Sequence, residues 1–111
     1  QALKAQYPPH LEWIVTGEEN PAPVVLRTLE WKGIQTLMVE GGGHIMNLFL
    51  QAKAVQELYL TVCPLLLGGQ NDPALVTGHG FTVAEAPRTE VLGAEWKGQE
   101  LYLHLKINYL D

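Results

Sequence analysis

The clearest candidate for chemistry is a run of three glycines, Gly41–Gly43, placed directly after Glu40. The apolar segment Ile34–Val39 precedes the run and predicts a buried strand, while a pattern of helical period follows it. Glycine lets a backbone approach a ligand closely, and the first amides of a helix lack acceptors and carry partial positive charge. The arrangement favours a phosphate or pyrophosphate site. The alternative is a tight strand-to-helix turn in which the glycines serve only backbone geometry.

The run departs from two common nucleotide-binding motifs. In a G-x-G-x-x-G frame Gly41 and Gly43 fit, but Met46 occupies the third glycine position. No lysine follows the glycines before Lys53, so the phosphate-binding loop of nucleoside triphosphatases is excluded. The sequence therefore indicates neither a standard dinucleotide-binding turn nor a triphosphatase.

Two polar side chains flank the glycines. Glu40 ends the predicted strand, which is where open α/β sheets bind their ligands. A carboxylate repels phosphate, so Glu40 faces a sugar hydroxyl or a substrate amine, or it caps nearby backbone amides. His44 either donates to a phosphate from the first helical turn or lies on the solvated surface.

Other catalytic chemistries find little support. The chain has no serine, which excludes a serine-based triad, and its four histidines show no metal-ligand spacing. Cys63 has no cysteine partner and stands in an apolar segment before a proline, which predicts a buried structural thiol. We expect no metal site.

Composition narrows the class of protein further. The 111 residues are 47% hydrophobic with a net charge of −5, which suits a single globular domain. The seven basic residues are scattered, which argues against a nucleic-acid surface. No apolar run approaches the roughly 18 residues of a membrane span. A single cysteine fits a reducing compartment, and we expect a cytoplasmic protein.

The spacing of apolar residues predicts the helices and strands on either side of the glycines. Strands are expected over Leu11–Thr16, Ile34–Val39 and Glu57–Cys63. One helix begins at Asn20-Pro21 and stops at Gly33, and a second follows the glycines. Strand, helix, strand, helix, strand with short connections predicts parallel strands joined by right-handed crossovers.

The C-terminal part of the chain has a different pattern. Short β-like segments are expected at Phe81–Ala84 and Thr89–Leu92, with a turn at Lys97-Gly98. The segment from Leu101 to Asn108 alternates apolar and polar residues, which predicts a strand with one buried face. An antiparallel hairpin at the edge of a mixed α/β sheet follows, with helices flanking the sheet.

Taken in order, these motifs resemble a known family. The segments VEGGG (39–43), ELYL (57–60) and PLLLGG (64–69) are similar in order and spacing to the reductase domain of riboflavin biosynthesis. That domain is the C-terminal part of the bifunctional deaminase–reductase and has a dihydrofolate-reductase-like fold. The resemblance runs from about Leu11 to about Leu105 and covers only the second half of the family domain. It implies that residues 1–111 are a single partial domain, so that either the sequence is a fragment or the missing elements come from elsewhere.

The resemblance also implies an activity and a set of site residues. The activity is NADPH-dependent reduction of the ribosyl group of a 5-amino-6-(5-phosphoribosylamino)uracil-type substrate to ribityl. Glu40 resembles the family glutamate that contacts the substrate. The residues that resemble the cofactor-binding turn and helix start are Gly41, Gly42, Gly43, His44, Ile45, Met46, Asn47 and Leu48. A homodimer without nucleic-acid or membrane partners is expected on the same grounds. The alternative function is a non-catalytic nucleotide-binding or assembly module that retains the glycine turn.

Overall fold

The computed structural model describes residues 6–17 and 19–110. It contains two compact units, of which the first ends at Met38 and the second begins at Val39. The first unit contains one helix, and the second contains a helix and a three-stranded sheet. In the described ranges no helix is both long enough and apolar enough to cross a lipid bilayer.

The first unit is organised around helix α1 (Ala22–Trp31). The Asn20 side chain accepts a hydrogen bond from the Ala22 amide at 2.9 Å, as an N-terminal cap does. Beyond the last turn, Gly33 adopts a φ of +81°, the left-handed conformation that closes many helices. The predicted start and stop signals of this helix are confirmed.

The second unit contains helix α2 (Gly43–Gln51) and strands β1 (Glu57–Val62), β2 (Arg88–Lys97) and β3 (Glu100–Asn108). The strand order is β1-β3-β2, and both pairs are antiparallel. Strands β2 and β3 form the predicted hairpin through a turn at Gly98, whose φ is +62°. Strand β3 lies at the centre of the sheet, and not at its edge as the sequence predicted.

Strand β3 divides the sheet into an apolar and a polar face. Leu103, Leu105 and Ile107 lie on the apolar face, and Leu105 and Ile107 are among its buried residues. On the polar face, the rings of Tyr59 and His104 stack with centroids 4.3 Å apart. The predicted alternation of this strand is therefore confirmed.

A β-bulge interrupts strand β2 between Val91 and Gly93. Before the bulge Val91 pairs with Leu105 on the apolar face, and after it Ala94 pairs with Leu103 on that same face. The extra residue, Leu92, shifts the alternation of side chains by one position. Strand β2 is therefore longer than the predicted Thr89–Leu92 segment, because the sequence changes phase where the strand continues.

The C-terminal end of α2 is closed by backbone hydrogen bonds. The amides of Lys53 and Ala54 donate to the carbonyls of Leu50 and Phe49 at 2.9 and 3.0 Å, which is the pattern of a Schellman motif. Lys53 holds the left-handed position with a φ of 54°, where glycine is the usual residue.

The segment after this motif is fixed by a tyrosine. The Tyr109 hydroxyl accepts from the Val55 amide at 2.9 Å and donates to the Val55 carbonyl at 2.7 Å. Burial raises the pKa of the Tyr109 phenol above its ordinary value of 10.0, because a phenolate would lose solvation there. The C-terminal end of α2 is thus tied to the end of strand β3.

An open cavity of about 340 Å³ lies between helix α2, the sheet and loop residues 75–87. Met46 and Leu50 line it from the helix, and Leu58 and Ile107 line it from the apolar face of the sheet. The helix is present as predicted, but the apolar positions 45, 48, 49 and 52, whose helical spacing predicted it, do not line this cavity, and Ile45 is 40% exposed.

The predicted parallel part of the sheet is not present in the described residues. The predictions of strands over Leu11–Thr16 and Ile34–Val39 are wrong, because neither segment contains a strand residue. Apolar and β-branched residues favour an extended backbone, but a strand exists only where a second backbone completes the hydrogen-bond ladder. Without that ladder the side chains remain open, and Val15 and Met38 are 77% and 76% exposed.

Two smaller predictions are also wrong. Residues 81–84 form no strand and lead into a turn, in which the Glu85 side chain accepts from the Thr82 hydroxyl at 2.7 Å. The Cys63 thiol is exposed and not buried, because β1 ends at Val62 and the cysteine begins the following loop.

Candidate functional site

The glycine turn leads into helix α2 with an ordinary backbone conformation. Gly42 is the N-cap residue, with φ −73° and ψ 175°, and the positive-φ glycines of the described chain lie elsewhere. In this part of the chain no side chain caps the helix start. The amides of the first turn have no acceptor within a helix, so they are available to an anion.

The three glycines have different surroundings. A Cβ at Gly43 would lie 2.5 Å from the Thr77 hydroxyl oxygen and closer still to the Ala74 carbonyl oxygen, so protein packing requires glycine there. A Cβ at Gly41 would lie 3.1 Å from the Cβ of Ile45, a tight contact. A Cβ at Gly42 would meet nothing within 4 Å. Neither conformation nor packing therefore explains glycine at position 42.

A loop segment crosses the beginning of α2, and we name it the strap (residues 74–79). The Thr77 amide donates to the Gly43 carbonyl at 3.0 Å. The side-chain amides of Asn47 and Gln51 both donate to the His79 carbonyl, each at 3.0 Å. The strap is therefore bonded to the helix from its first residue, Gly43, to its last, Gln51.

Asn47 is the buried polar residue of this region, at 4% exposure. Its Oδ1 is buried and has no hydrogen-bond partner among the residues that the structure describes. Gly78, with a φ of +121°, packs so closely that a Cβ there would lie 2.8 Å from Asn47 Nδ2. The side chain of Asn47 thus faces the strap.

The remaining predicted site residues fall into two groups. Glu40 and His44 are exposed at the same end of α2, beside the glycine turn. Ile45 is 40% exposed, whereas Leu48 is half-buried and Met46 lines the cavity against the sheet. The structure therefore places Glu40 and His44 beside the backbone of the glycine turn. The Met46 side chain points away from this group and toward the sheet.

The sequence analysis missed the strap. Its residues are punctuated by Gly78 and Gly80 on either side of His79, a pattern that reads as a generic loop. Gly78 indicated an unusual backbone conformation in this loop, but its spacing in the sequence did not show that the loop packs against helix α2. In the described ranges no group of three potential metal ligands comes together.

Comparisons with known proteins address the origin of these features. The family model described as the RibD C-terminal domain matches residues 3–103. A 2,5-diamino-6-ribosylamino-4(3H)-pyrimidinone 5′-phosphate reductase of Aquifex aeolicus (strain VF5) is 42% identical over 71 residues, covering 63% of this chain and 32% of that protein. The riboflavin biosynthesis protein RibD of Bacillus amyloliquefaciens is 39% identical over 59 residues, covering 53% of this chain and 16% of the relative.

A solved structure shows a similar fold. Acinetobacter baumannii RibD, form 2, superposes with a TM-score of 0.68 and 25% identity, covering 86% of this chain and 27% of that one. The chain spans about a third, or less, of the length of these relatives.

Proposed function

Because the chain belongs to the family of RibD C-terminal domains, we propose that it is part of an NADPH-dependent reductase of riboflavin biosynthesis. Its substrate would be a phosphoribosylamino-pyrimidine of the 5-amino-6-(5-phosphoribosylamino)uracil type, whose ribosyl group is reduced to ribityl. The Aquifex aeolicus relative is also named for a ribosylamino-pyrimidinone phosphate. Under this proposal residues 1–111 are a C-terminal portion of the reductase domain.

The observation that carries the proposal is the glycine turn. Gly42 leaves open space where a side chain would stand, and no side chain in the described ranges caps the helix beside it. This donor set fits a pyrophosphate, because several backbone amides can converge on its oxygens with the positive end of the helix dipole behind them. The chain has a net charge of −5, so binding depends on these local donors and not on long-range attraction.

The residues of the turn divide the work as follows. The first-turn amides of Gly43, His44 and Ile45 would hold the phosphates, and Gly42 would allow their close approach. When bound, NADPH supplies the hydride for the reduction. Glu40 is exposed at the same end of the helix, where its carboxylate can accept a hydrogen bond from a substrate hydroxyl or amine. Reduction then depends mainly on holding cofactor and sugar in contact.

A nucleotide-binding module without catalysis is the second candidate. The same glycine turn supports it. By the family resemblance we also propose a cytoplasmic homodimer without nucleic-acid or membrane partners, and analytical ultracentrifugation measures the oligomeric state.

The test is an assay of NADPH binding and oxidation. Calorimetry with NADPH, followed by the loss of its absorbance when the pyrimidine substrate is added, separates binding from turnover. The reductase proposal expects both. Binding without turnover would favour the module, and absence of binding would contradict both proposals.

Glu40→Gln provides the matched prediction for the substrate side. We expect the apparent KM for the pyrimidine to rise about tenfold, or about 1.4 kcal/mol, because a charge-assisted hydrogen bond is lost. The Kd for NADPH should stay unchanged. Glu90→Gln, at an exposed glutamate of strand β2, is the control. An equal rise in the KM for the pyrimidine and the Kd for NADPH would contradict the substrate role of Glu40.

A further inference from the structure

Hydrogen bonds join the strap to helix α2, and one of them is made by the peptide group between Gly43 and His44. Thr77 donates its amide proton to the Gly43 carbonyl. That carbonyl and the amide of His44 belong to one peptide unit, which is planar. A hydrogen bond that fixes the Gly43 oxygen therefore also fixes the direction of the His44 N–H.

Asn47 stands behind this arrangement. It is 4% exposed, and its side chain packs against the strap. Its Nδ2 donates to the His79 carbonyl at 3.0 Å, two residues beyond Thr77. Its Oδ1 is buried without a hydrogen-bond partner among the described residues, which destabilises a fold. Such a cost is typical of polar residues that serve a site.

We propose that Asn47 is a positioning residue, which orients the His44 amide toward the phosphates of the cofactor by holding the strap. The proposal rests on the proposed function for the identity of the ligand. The chain of contacts runs from Asn47 to the His79 carbonyl, along the strap to Thr77, and from Thr77 to the Gly43 carbonyl. Asn47 does not contact the cofactor itself.

Gly78 supports the same geometry from the strap side. Its φ of +121° is a conformation that side chains rarely adopt, and a Cβ would crowd Asn47 Nδ2 at 2.8 Å. The strap therefore needs glycine at this position to bring His79 within reach of Asn47.

The test uses the complete 111-residue chain without ligand and then with NADPH. In Asn47→Ala we expect hydrogen exchange of the Thr77 amide to accelerate at least tenfold and the His44 amide resonance to shift. Amides in the β1–β3 ladder, such as that of Leu60, should keep their wild-type exchange. The Kd for NADPH should rise about tenfold, because the pre-oriented donor is lost.

Gln51→Ala is the matched control. It removes an exposed donor to the same carbonyl but leaves the buried Asn47 bond in place, so we expect less than a threefold change in exchange and Kd. Gly78→Ala keeps Asn47 but crowds its Nδ2 from the strap side, so it should weaken the bond to the His79 carbonyl and reproduce the effect of Asn47→Ala. This second variant decides the matter if Asn47→Ala does not fold.

Two results would overturn the proposal. Wild-type Thr77 exchange in folded Asn47→Ala or Gly78→Ala would show that Asn47 does not hold the strap. A loosened strap with an unchanged Kd for NADPH would show that the strap has only a structural role. If the wild-type chain does not bind NADPH, the cofactor assignment fails, whereas titration with inorganic pyrophosphate still measures whether the strap orients an anion-binding amide.

Discussion

The two ends of helix α2 are finished in opposite ways. At the C-terminal end the chain satisfies its own carbonyls through the Schellman motif at Lys53, and Tyr109 bonds both backbone groups of Val55. At the N-terminal end no side chain in the described ranges caps the helix, and the space beside Gly42 is open. The C-terminal carbonyls of α2 are therefore hydrogen-bonded within the protein, whereas its N-terminal amides have no side-chain acceptor among the described residues.

The largest expected effect is on ligand binding at the N-terminal end of helix α2. Gly42→Asp should weaken NADPH binding at least 100-fold, or about 2.7 kcal/mol, because a carboxylate would stand where the phosphates approach. Calorimetry measures the Kd. The free energy of unfolding should change little, since Gly42 has an extended backbone that any residue adopts and no neighbour within 4 Å of a Cβ.

Gly43→Ala is the contrasting variant one residue further on. Its methyl group would collide with the strap, so we expect a loss of about 1–3 kcal/mol in the free energy of unfolding. Gly42→Ala, which adds a methyl group without a charge, should remain close to wild type in stability. Similar stability losses at both positions, or unchanged NADPH affinity in folded Gly42→Asp, would contradict the distinction between the two glycines.

The next effect breaks the closed end. Tyr109→Phe removes the hydroxyl that serves the amide and carbonyl of Val55, and we expect a loss of about 1–2 kcal/mol in the free energy of unfolding. Chemical denaturation measures it. NADPH affinity should not change, because this end of the helix contributes nothing to the proposed site.

The same residue predicts a pH dependence. The pKa of Tyr109 is raised in the folded state, so its stabilising contribution is complete below the unfolded value of about 10 and declines as the pH rises above it. Tyr109→Phe should show a shallower alkaline decline. A hydrogen bond to Glu100 also raises the pKa of Tyr102, so Tyr102→Phe is a parallel variant that should likewise show a shallower alkaline decline than wild type. A decline of equal slope in wild type and Tyr109→Phe would contradict the assignment.

The smallest expected effect concerns Lys53, at the C-terminal end of helix α2. Lys53 occupies the left-handed position that Gly33 occupies after α1. Lys53→Gly should therefore stabilise the protein by about 0.5–1 kcal/mol in thermal or chemical unfolding. Gly33→Ala is the reciprocal variant and should destabilise it. A loss of stability in Lys53→Gly would show that the bond from Lys53 Nζ to the Leu110 carbonyl outweighs the backbone strain.

The sequence predicted the elements that depend on local signals. Asn20 and Gly33 bound the first helix because caps act on neighbouring backbone groups. The alternation in Leu101–Asn108 predicted strand β3 because one of its faces is buried by the fold. The helix after the glycines was also predicted from local periodicity, although Met46 and Leu50, and not the predicted apolar positions, line the cavity against the sheet.

The failures concern partners distant in the chain. Segment Ile34–Val39 has the composition of a strand but forms no ladder among the described residues, and composition does not supply a neighbouring backbone. The strap was missed because Thr77 and Gly43 are joined by a contact between residues 34 positions apart. The roles of Glu40 and the glycine turn as binding residues stay predictions.

The bulge at Leu92 has a consequence for how this hairpin tolerates insertions and deletions. It works as a one-residue phase corrector, because Val91 before it and Ala94 after it both reach the apolar face of the sheet. An uninterrupted ladder that kept Leu92 would turn Ala94 and Trp96 toward the opposite face, whereas deleting Leu92 would leave both on the apolar face. We therefore expect strand β2 to tolerate the loss of this one residue, while the full sequence requires the bulge.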